Sequence, residues 1–200
     1  ARGIAVRGAY AYMGGHDGGF QIVDISDPSS PILVNTLNSD GYVKCPTISG
    51  SYAFAPNGIE GLQIIDISEQ PSLSLADEYL TPSPALDVDV LDNIACIASK
   101  LSGLVLLDVS NPTQASFLGR YDEPPLDDEF AQGVVAISHY AFVADRDSGL
   151  LIIDIADPTN PALIAQYDSP GNAEDVAIAG SYAFLADGSG GLRVVKLTGP

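Results

Sequence analysis

Two carboxylates, Asp87 and Asp175, occupy the same place in the third and fifth copies of an internal repeat, with Asp89 and Glu174 beside them. A glycosidase needs such a pair flanking the sugar bond, one kept protonated by its surroundings. The chain offers no stronger catalytic pairing, yet 26 acidic residues scatter carboxylates widely, so a non-enzymatic reading comes first. His16 and His139 fall on turns expected at opposite ends of their strands, which argues against a shared metal or a nucleophile-activating pair. Asp127, Asp128 and Glu129 cluster in the one insertion of the repeat, within Tyr121–Phe130. Calcium favours several oxygen ligands, but the Asp-x-Asp-x-Asp-Gly spacing of a dedicated loop is missing. A solvated acidic loop is the simpler reading, and no cofactor is expected.

What must position these groups is the repeat itself. Gly19-Phe-Gln-Ile-Val-Asp24 returns as Gly61-Leu-Gln-Ile-Ile-Asp66, Gly103-Leu-Val-Leu-Leu-Asp108 and Gly149-Leu-Leu-Ile-Ile-Asp154, then as Gly191-Leu-Arg-Val-Val-Lys196 with lysine replacing aspartate. The glycines are 42, 42, 46 and 42 residues apart, a period that belongs to a propeller blade or a solenoid unit. We divide the chain into repeats 1–42, 43–84, 85–130, 131–172 and 173–200 of one all-β domain.

Each repeat reads as four strands. A short apolar strand and a tight turn lead to a second strand with small Ala between bulky residues, as in Tyr52-Ala-Phe54 and Tyr140-Ala-Phe142. The third strand is the glycine-led run, apolar without alternation and therefore expected to be buried on both faces. An Asp-Pro turn then introduces a more polar fourth strand suited to an outer edge. The recurring aspartate is expected to accept hydrogen bonds from turn backbone in a mostly buried setting. Cys96 falls at a core position and Cys45 at the start of the second repeat, as two thiols or as a disulfide between adjacent blades. The architecture expected is a five-bladed β-propeller, or a five-blade portion of a larger one. Its last blade lacks an outer strand: either that strand belongs upstream, or the blade has three strands and an open edge to which another chain's strand could add, with truncation or proteolytic maturation as the simpler alternative.

In propellers, ligands gather where the loops from fourth to first and from second to third strands emerge. Nearest the axis those loops carry Arg2, Tyr42, Lys44, Phe130, Gln132 and Glu174 as candidate ligand-binding residues, with Asp87 and Asp175 among them. Farther out come His16, Asp17, Asn57, Glu60, Lys100, Asp145, Arg146, Asp147 and Asp187. These positions vary between repeats while the framework does not, the pattern of a binding face on a repeated scaffold.

Composition narrows the partners. At 46% hydrophobic and 17% charged the chain folds rather than staying disordered. Its apolar runs, about seven residues long, fall far short of the roughly 20 needed for a membrane-spanning helix. A net charge of −18 repels phosphate backbones and anionic membranes, so neither nucleic acid nor membrane insertion is expected.

At Phe20-Gln-Ile-Val-Asp24, Leu62-Gln-Ile-Ile-Asp66 and Leu151-Ile-Ile-Asp154, and at the trailers Asp27-Pro-Ser-Ser-Pro31 and Asp157-Pro-Thr-Asn-Pro161, the chain resembles the LVIVD-repeat family of bacterial and archaeal proteins. The resemblance covers essentially the whole chain. It implies a β-propeller-like fold in a secreted or cell-surface protein and transfers no catalytic residues. The function expected is a recognition or assembly module that binds protein or glycan through its loops or open edge. The alternatives are a structural subunit of a larger complex or filament, and a carbohydrate-active enzyme using Asp87 and Asp175.

Overall fold

The structure, a computed structural model, describes residues 1–16, 18–122 and 130–197. Asp17, Asp127, Asp128 and Glu129 lie outside the described residues. Blade 1 contains Gly3–Arg7 (β1), Tyr10–Gly14 (β2), Phe20–Asp24 (β3) and Ile32–Leu37 (β4). Blade 2 follows with Thr47–Ser49 (β5), Tyr52–Pro56 (β6), Leu62–Asp66 (β7) and Ser74–Tyr79 (β8), and blade 3 with Asp87–Leu91 (β9), Ile94–Ala98 (β10), Leu104–Asp108 (β11) and Ser116–Tyr121 (β12). Blade 4 holds Ala131–Ile137 (β13), Tyr140–Asp145 (β14), Gly149–Asp154 (β15) and Ala162–Tyr167 (β16). Blade 5 has Asp175–Ala179 (β17), Tyr182–Ala186 (β18) and Leu192–Lys196 (β19), with one short 3-10 turn at Gly188–Gly190. Every sheet is an antiparallel meander in sequence order; the first four have four strands and the last has three among the described residues.

The glycine before each third strand is explained by its geometry. Gly149 has φ +75°, and a Cβ there would be driven into the carbonyl oxygen of Tyr167 at the end of the fourth strand. Gly61 and Gly103 meet Tyr79 and Tyr121 in the same way. Both the left-handed backbone and the close approach exclude a side chain. Gly191 keeps the φ of +75°, but no atom lies within 4 Å of its Cβ position, because no described fourth strand flanks it. Halfway along each third strand of blades 1–4 the pairing with the fourth strand shifts by one residue, a bulge between Ile22 and Val23 and at its three counterparts. Such bulges bend and twist the outer strand.

The core is not central; it lies between blades. Each blade offers one apolar face forward and receives the next on the other. Tyr12, Phe20 and Ile22 pack on Ala53, Ile65 and Ile67. Phe54, Leu62 and Ile64 pack on Val88, Ile97 and Leu107. Leu104 and Leu106 meet Val134, Ala141 and Val143, and Phe142 and Leu150 meet Val176, Ala183 and Leu185. These side chains are essentially withdrawn from solvent, where each contributes about 1.5–3 kcal/mol of burial.

Several expectations are corrected by this arrangement. The five sheets follow one another but do not close: among the described residues no strand of blade 1 packs on a strand of blade 5 as neighbouring blades do. The third strand is therefore buried on both faces only in blades 2–4, whereas β19 leaves Leu192 and Val194 exposed. The repeated aspartate does accept turn hydrogen bonds: Asp24, Asp66 and Asp108 take the backbone N–H of Ser26, Ser68 and Ser110 at 2.8 Å, and Asp154 that of Ala156 at 2.9 Å. It does so half-buried rather than mostly buried, because it ends its strand. Those N–H groups hold the Asp24, Asp66 and Asp108 carboxyls below the usual carboxylate range. Cys45 and Cys96 are both free thiols; Cys96 sits inside the blade 3–4 core, where burial pushes its thiol up, while Cys45 lies at the surface.

Candidate functional site

The repeat delivers one residue per blade to a common place. Arg2, Lys44, Leu86, Gln132 and Glu174 hold the same position in the five repeats, and all line one cavity of about 520 Å³ on the concave side of the arc. The next position adds Cys45, Asp87 and Asp175, and the loop between β14 and β15 adds Arg146. Of the candidates nearest the axis, six are thus brought together: Arg2, Lys44, Gln132, Glu174, Asp87 and Asp175. Tyr42 and Phe130 are not among the lining residues.

Those two aromatics stand nearby instead. Tyr42 is half exposed and its ring lies 4.3 Å from that of His16. Phe130 lies beneath two cations, with Lys100 Nζ 5.0 Å and Arg146 Cζ 4.9 Å from its ring centre, a favourable contact between charge and ring quadrupole. Its backbone N–H donates to Asp145 Oδ1 at 2.9 Å. Phe130 is thereby joined to the cavity through Arg146, a residue placed too far out by the sequence reading.

Backbone shape explains how Lys100 and Arg146 arrive there. His16, Gly58, Lys100, Arg146 and Gly188 share one repeat position and all have positive φ: 56°, 59°, 34°, 22° and 48°. Glycine is the inexpensive residue for this conformation, yet three blades use a side chain that can carry charge. In blades 1–4 the same residue bridges to the next blade's entry strand, as in Ala131 N–H to Lys100 O at 3.1 Å and Ala173 N–H to Arg146 O at 2.9 Å. Three positions expected farther out on this face are structural. Asn57, Asp145 and Asp187 are buried and tie down the loops that cross between blades, Asp187 accepting from Ser169 Oγ at 2.5 Å and from Gly171 N–H at 3.1 Å.

The lining mixes charges. Arg2, Lys44 and Arg146 face Asp87, Glu174 and Asp175, so three of the chain's eight basic residues gather here on a protein of net charge −18. Partial burial, then the neighbouring Arg2, push the Lys44 ammonium down, while Asp87 opposes this. Burial drives the Asp87 carboxyl up to about 7, against the hydrogen bond it accepts from Val134 N–H, and the charges of Asp175 and Asp89 add to the rise. Asp87 Oδ2 takes Val134 N–H and Asp89 Oδ2 takes Ala136 N–H, each at 2.9 Å. The innermost strand of blade 4 thus has axis-side donors satisfied by blade 3. No three histidines, cysteines or carboxylates are placed to share a metal among the described residues.

The LVIVD repeat model matches residues 1–39, 40–81, 84–123, 130–169 and 170–196. No curated protein matches the chain. Solved structures with the same fold include a computationally designed protein, Ika8, at 12% identity and TM-score 0.73, the alignment covering 97% of this chain and 57% of that one. BamB from Moraxella catarrhalis is similar at 17% identity and TM-score 0.67, over 95% and 55% of the two chains. The β-propeller domain of Cps50 (Swd1) from Myceliophteria thermophila is similar at 10% identity and TM-score 0.73, over 95% and 67%. The chain therefore spans between about half and two thirds of the length of these structures.

Proposed function

The chain belongs to the LVIVD-repeat family, and from that premise we propose that it is a non-enzymatic recognition module, extracellular or at a cell surface, which grips a protein or glycan at the five-blade cavity. The observation that carries this reading is convergence. One position from each of five repeats lines a single cavity, and those positions hold Arg, Lys, Leu, Gln and Glu while the packing positions of the blades stay apolar. A lining with three cations, three carboxylates and an amide suits a ligand rich in hydroxyl or mixed polar groups. Phe130, under Arg146, and Tyr42 supply flat surfaces beside it. The open edge of blade 5 is a second place where a partner strand could add.

The test is a screen of glycan and protein arrays with the native chain, repeated with Lys44→Ala, Arg146→Ala and Phe130→Ala. A ligand of this site loses tenfold or more in affinity with each, while Arg120→Ala, a basic residue outside the cavity lining, leaves binding unchanged. Equal binding by all four variants rejects the site.

A second reading, glycoside hydrolysis, draws on one observation: Asp87 is pushed up to about 7 beside Asp175, the condition a general acid needs near neutral pH. The hydrogen bond from Val134 gives Asp87 a structural task that accounts for its placement without catalysis. Turnover abolished by Asp87→Asn with ligand affinity retained would establish hydrolysis. Absence of turnover on oligosaccharides bound by the native chain would dismiss it.

A further inference from the structure

A second cavity, of about 200 Å³, lies where blade 1 hands over to blade 2. It shares no lining residue with the five-blade cavity. Leu37 and Asp40 reach it from the end of blade 1, Glu60 from the loop between β6 and β7, Gln63 from β7, and Leu75 and Glu78 from β8. Gln63 stands apart among them. It is 3% exposed, its Nε2 donates to Glu78 Oε1 at 2.8 Å, and its own Oε1 is withdrawn from solvent without a hydrogen-bond donor. The bond to Glu78 fixes which way round the amide stands, because the reverse orientation would set Oε1 against a carboxylate. A buried acceptor with no donor is costly and calls for a physical reason.

The other blades avoid this cost. At the repeat position of Gln63, blades 3 and 4 carry Val105 and Leu151, which need no partner, and Gln21 of blade 1 stays partly exposed. Blade 5 carries Arg193, whose Nε donates to the Asp187 carboxylate at 3.2 Å. Asp187 is the counterpart of Asn57, and the two are held alike: Ser169 Oγ donates to Asp187 at 2.5 Å and Ser39 Oγ to Asn57 at 2.6 Å. The junction of blades 4 and 5 therefore holds a guanidinium of the chain's own at the position where the junction of blades 1 and 2 has Gln63. A Cβ on Gly190 would lie 3.2 Å from Arg193 Nη2, and the residue of blade 2 at that repeat position is Glu60. A guanidinium set into blade 2 in the same way would meet a carboxylate side chain there.

We propose that the cavity between blades 1 and 2 binds the guanidinium of an arginine side chain presented by a protein partner. Charge, size and chemistry select this occupant. Asp40, Glu60 and Glu78 are exposed carboxylates, and the described lining holds no cation. A guanidinium matches carboxylates with paired planar donors and brings the donor that Gln63 Oε1 lacks. Leu37 and the exposed Leu75 offer apolar surface to the aliphatic stem. Drug-sized ligands occupy roughly 300–1,000 Å³, so a cavity of about 200 Å³ suits one side chain. Free arginine fits less well, because its α-carboxylate would face three carboxylates, whereas in a polypeptide that charge is masked. A divalent metal fits less well too, since no three of the carboxylates are placed to share one among the described residues.

The experiment is a two-dimensional NMR titration of the isotope-labelled chain with the blocked peptide acetyl-Gly-Arg-Gly-amide. Two comparison ligands are free L-arginine and the same peptide with citrulline, whose urea group keeps the shape of a guanidinium without its charge. The arginine peptide should shift the resonances of Gln63, Leu75 and Glu78, and should bind at least tenfold more tightly than either comparison ligand. Two variants place the binding. Gln63→Leu reproduces the residue of blade 4, and Gln63→Arg sets a guanidinium on the chain itself as in blade 5; each should weaken the peptide at least tenfold. If one variant fails to fold, the other decides, and the comparison of arginine with citrulline needs only the native chain. Four results overturn the proposal: no shift at the three residues with the arginine peptide, equal binding of the arginine and citrulline peptides, free L-arginine bound as tightly as the peptide, or undiminished binding by a folded Gln63 variant.

Discussion

Asp87 of blade 3 accepts a 2.9 Å hydrogen bond from the backbone N–H of Val134 in blade 4, so the carboxylate that leads the chain's catalytic candidates fastens two blades together. Its burial has a thermodynamic consequence. The folded-state value of about 7 lies above the ordinary value near 3.9. Between about pH 4 and 7 the folded chain therefore holds a proton that the unfolded chain releases. The stability this group contributes is complete below the lower value and is lost as pH rises towards 7. Asp87→Asn keeps an oxygen to accept the Val134 N–H but cannot ionise. The variant should show a flatter decline of Tm between pH 4.5 and 8 than the native chain, by scanning calorimetry. An unchanged profile would place the titration elsewhere.

The glycine of the repeat should divide into two classes. Gly149→Ala meets both a left-handed backbone and the Tyr167 carbonyl, and should cost at least about 3 kcal/mol. Gly191→Ala meets only the backbone and should cost about 1–2 kcal/mol. Urea unfolding of the two variants measures the difference.

Core substitutions should report the direction in which each blade faces. Leu104→Ala empties a site at the blade 3–4 interface and should cost about 2–5 kcal/mol. In the 200-residue chain on its own, Leu192→Ala changes an exposed residue and should shift stability by no more than about 0.5 kcal/mol.

Lys100 and Arg146 hold positive φ where glycine serves in other blades. Arg146→Gly should therefore leave Tm unchanged or raise stability by up to about 1 kcal/mol while weakening ligand binding. A loss of both stability and binding would mean that the contact with Phe130 outweighs the backbone.

The fold was legible because its signals are local and repeated. Glycine, apolar run and aspartate recur at one period, and each has a single local cause: a left-handed entry, a strand packed between blades, and a turn acceptor. The axis-side residues were legible for the same reason, since Arg2, Lys44, Gln132 and Glu174 sit at one repeat position. What sequence could not give was the radial distance of the loop residues. Asp145 and Asp187 hold the same repeat position, and Arg146 is the next residue. Yet Arg146 turns onto the cavity, while the two aspartates turn inward to bind crossing loops. Those choices depend on contacts between blades 15 to 18 residues apart in sequence, which no period reveals. The signal available in hindsight was Lys100 and Arg146 replacing glycine at a position that asks for it.

The central claim, that the partner is met at the five-blade cavity, is tested most directly by site-specific crosslinking. A photo-reactive residue is installed in place of Gln132, which lines the cavity, and separately in place of Thr113, in an exposed turn after a third strand. The account predicts that position 132 captures a partner and position 113 does not. Capture from position 113 with none from position 132 would contradict it.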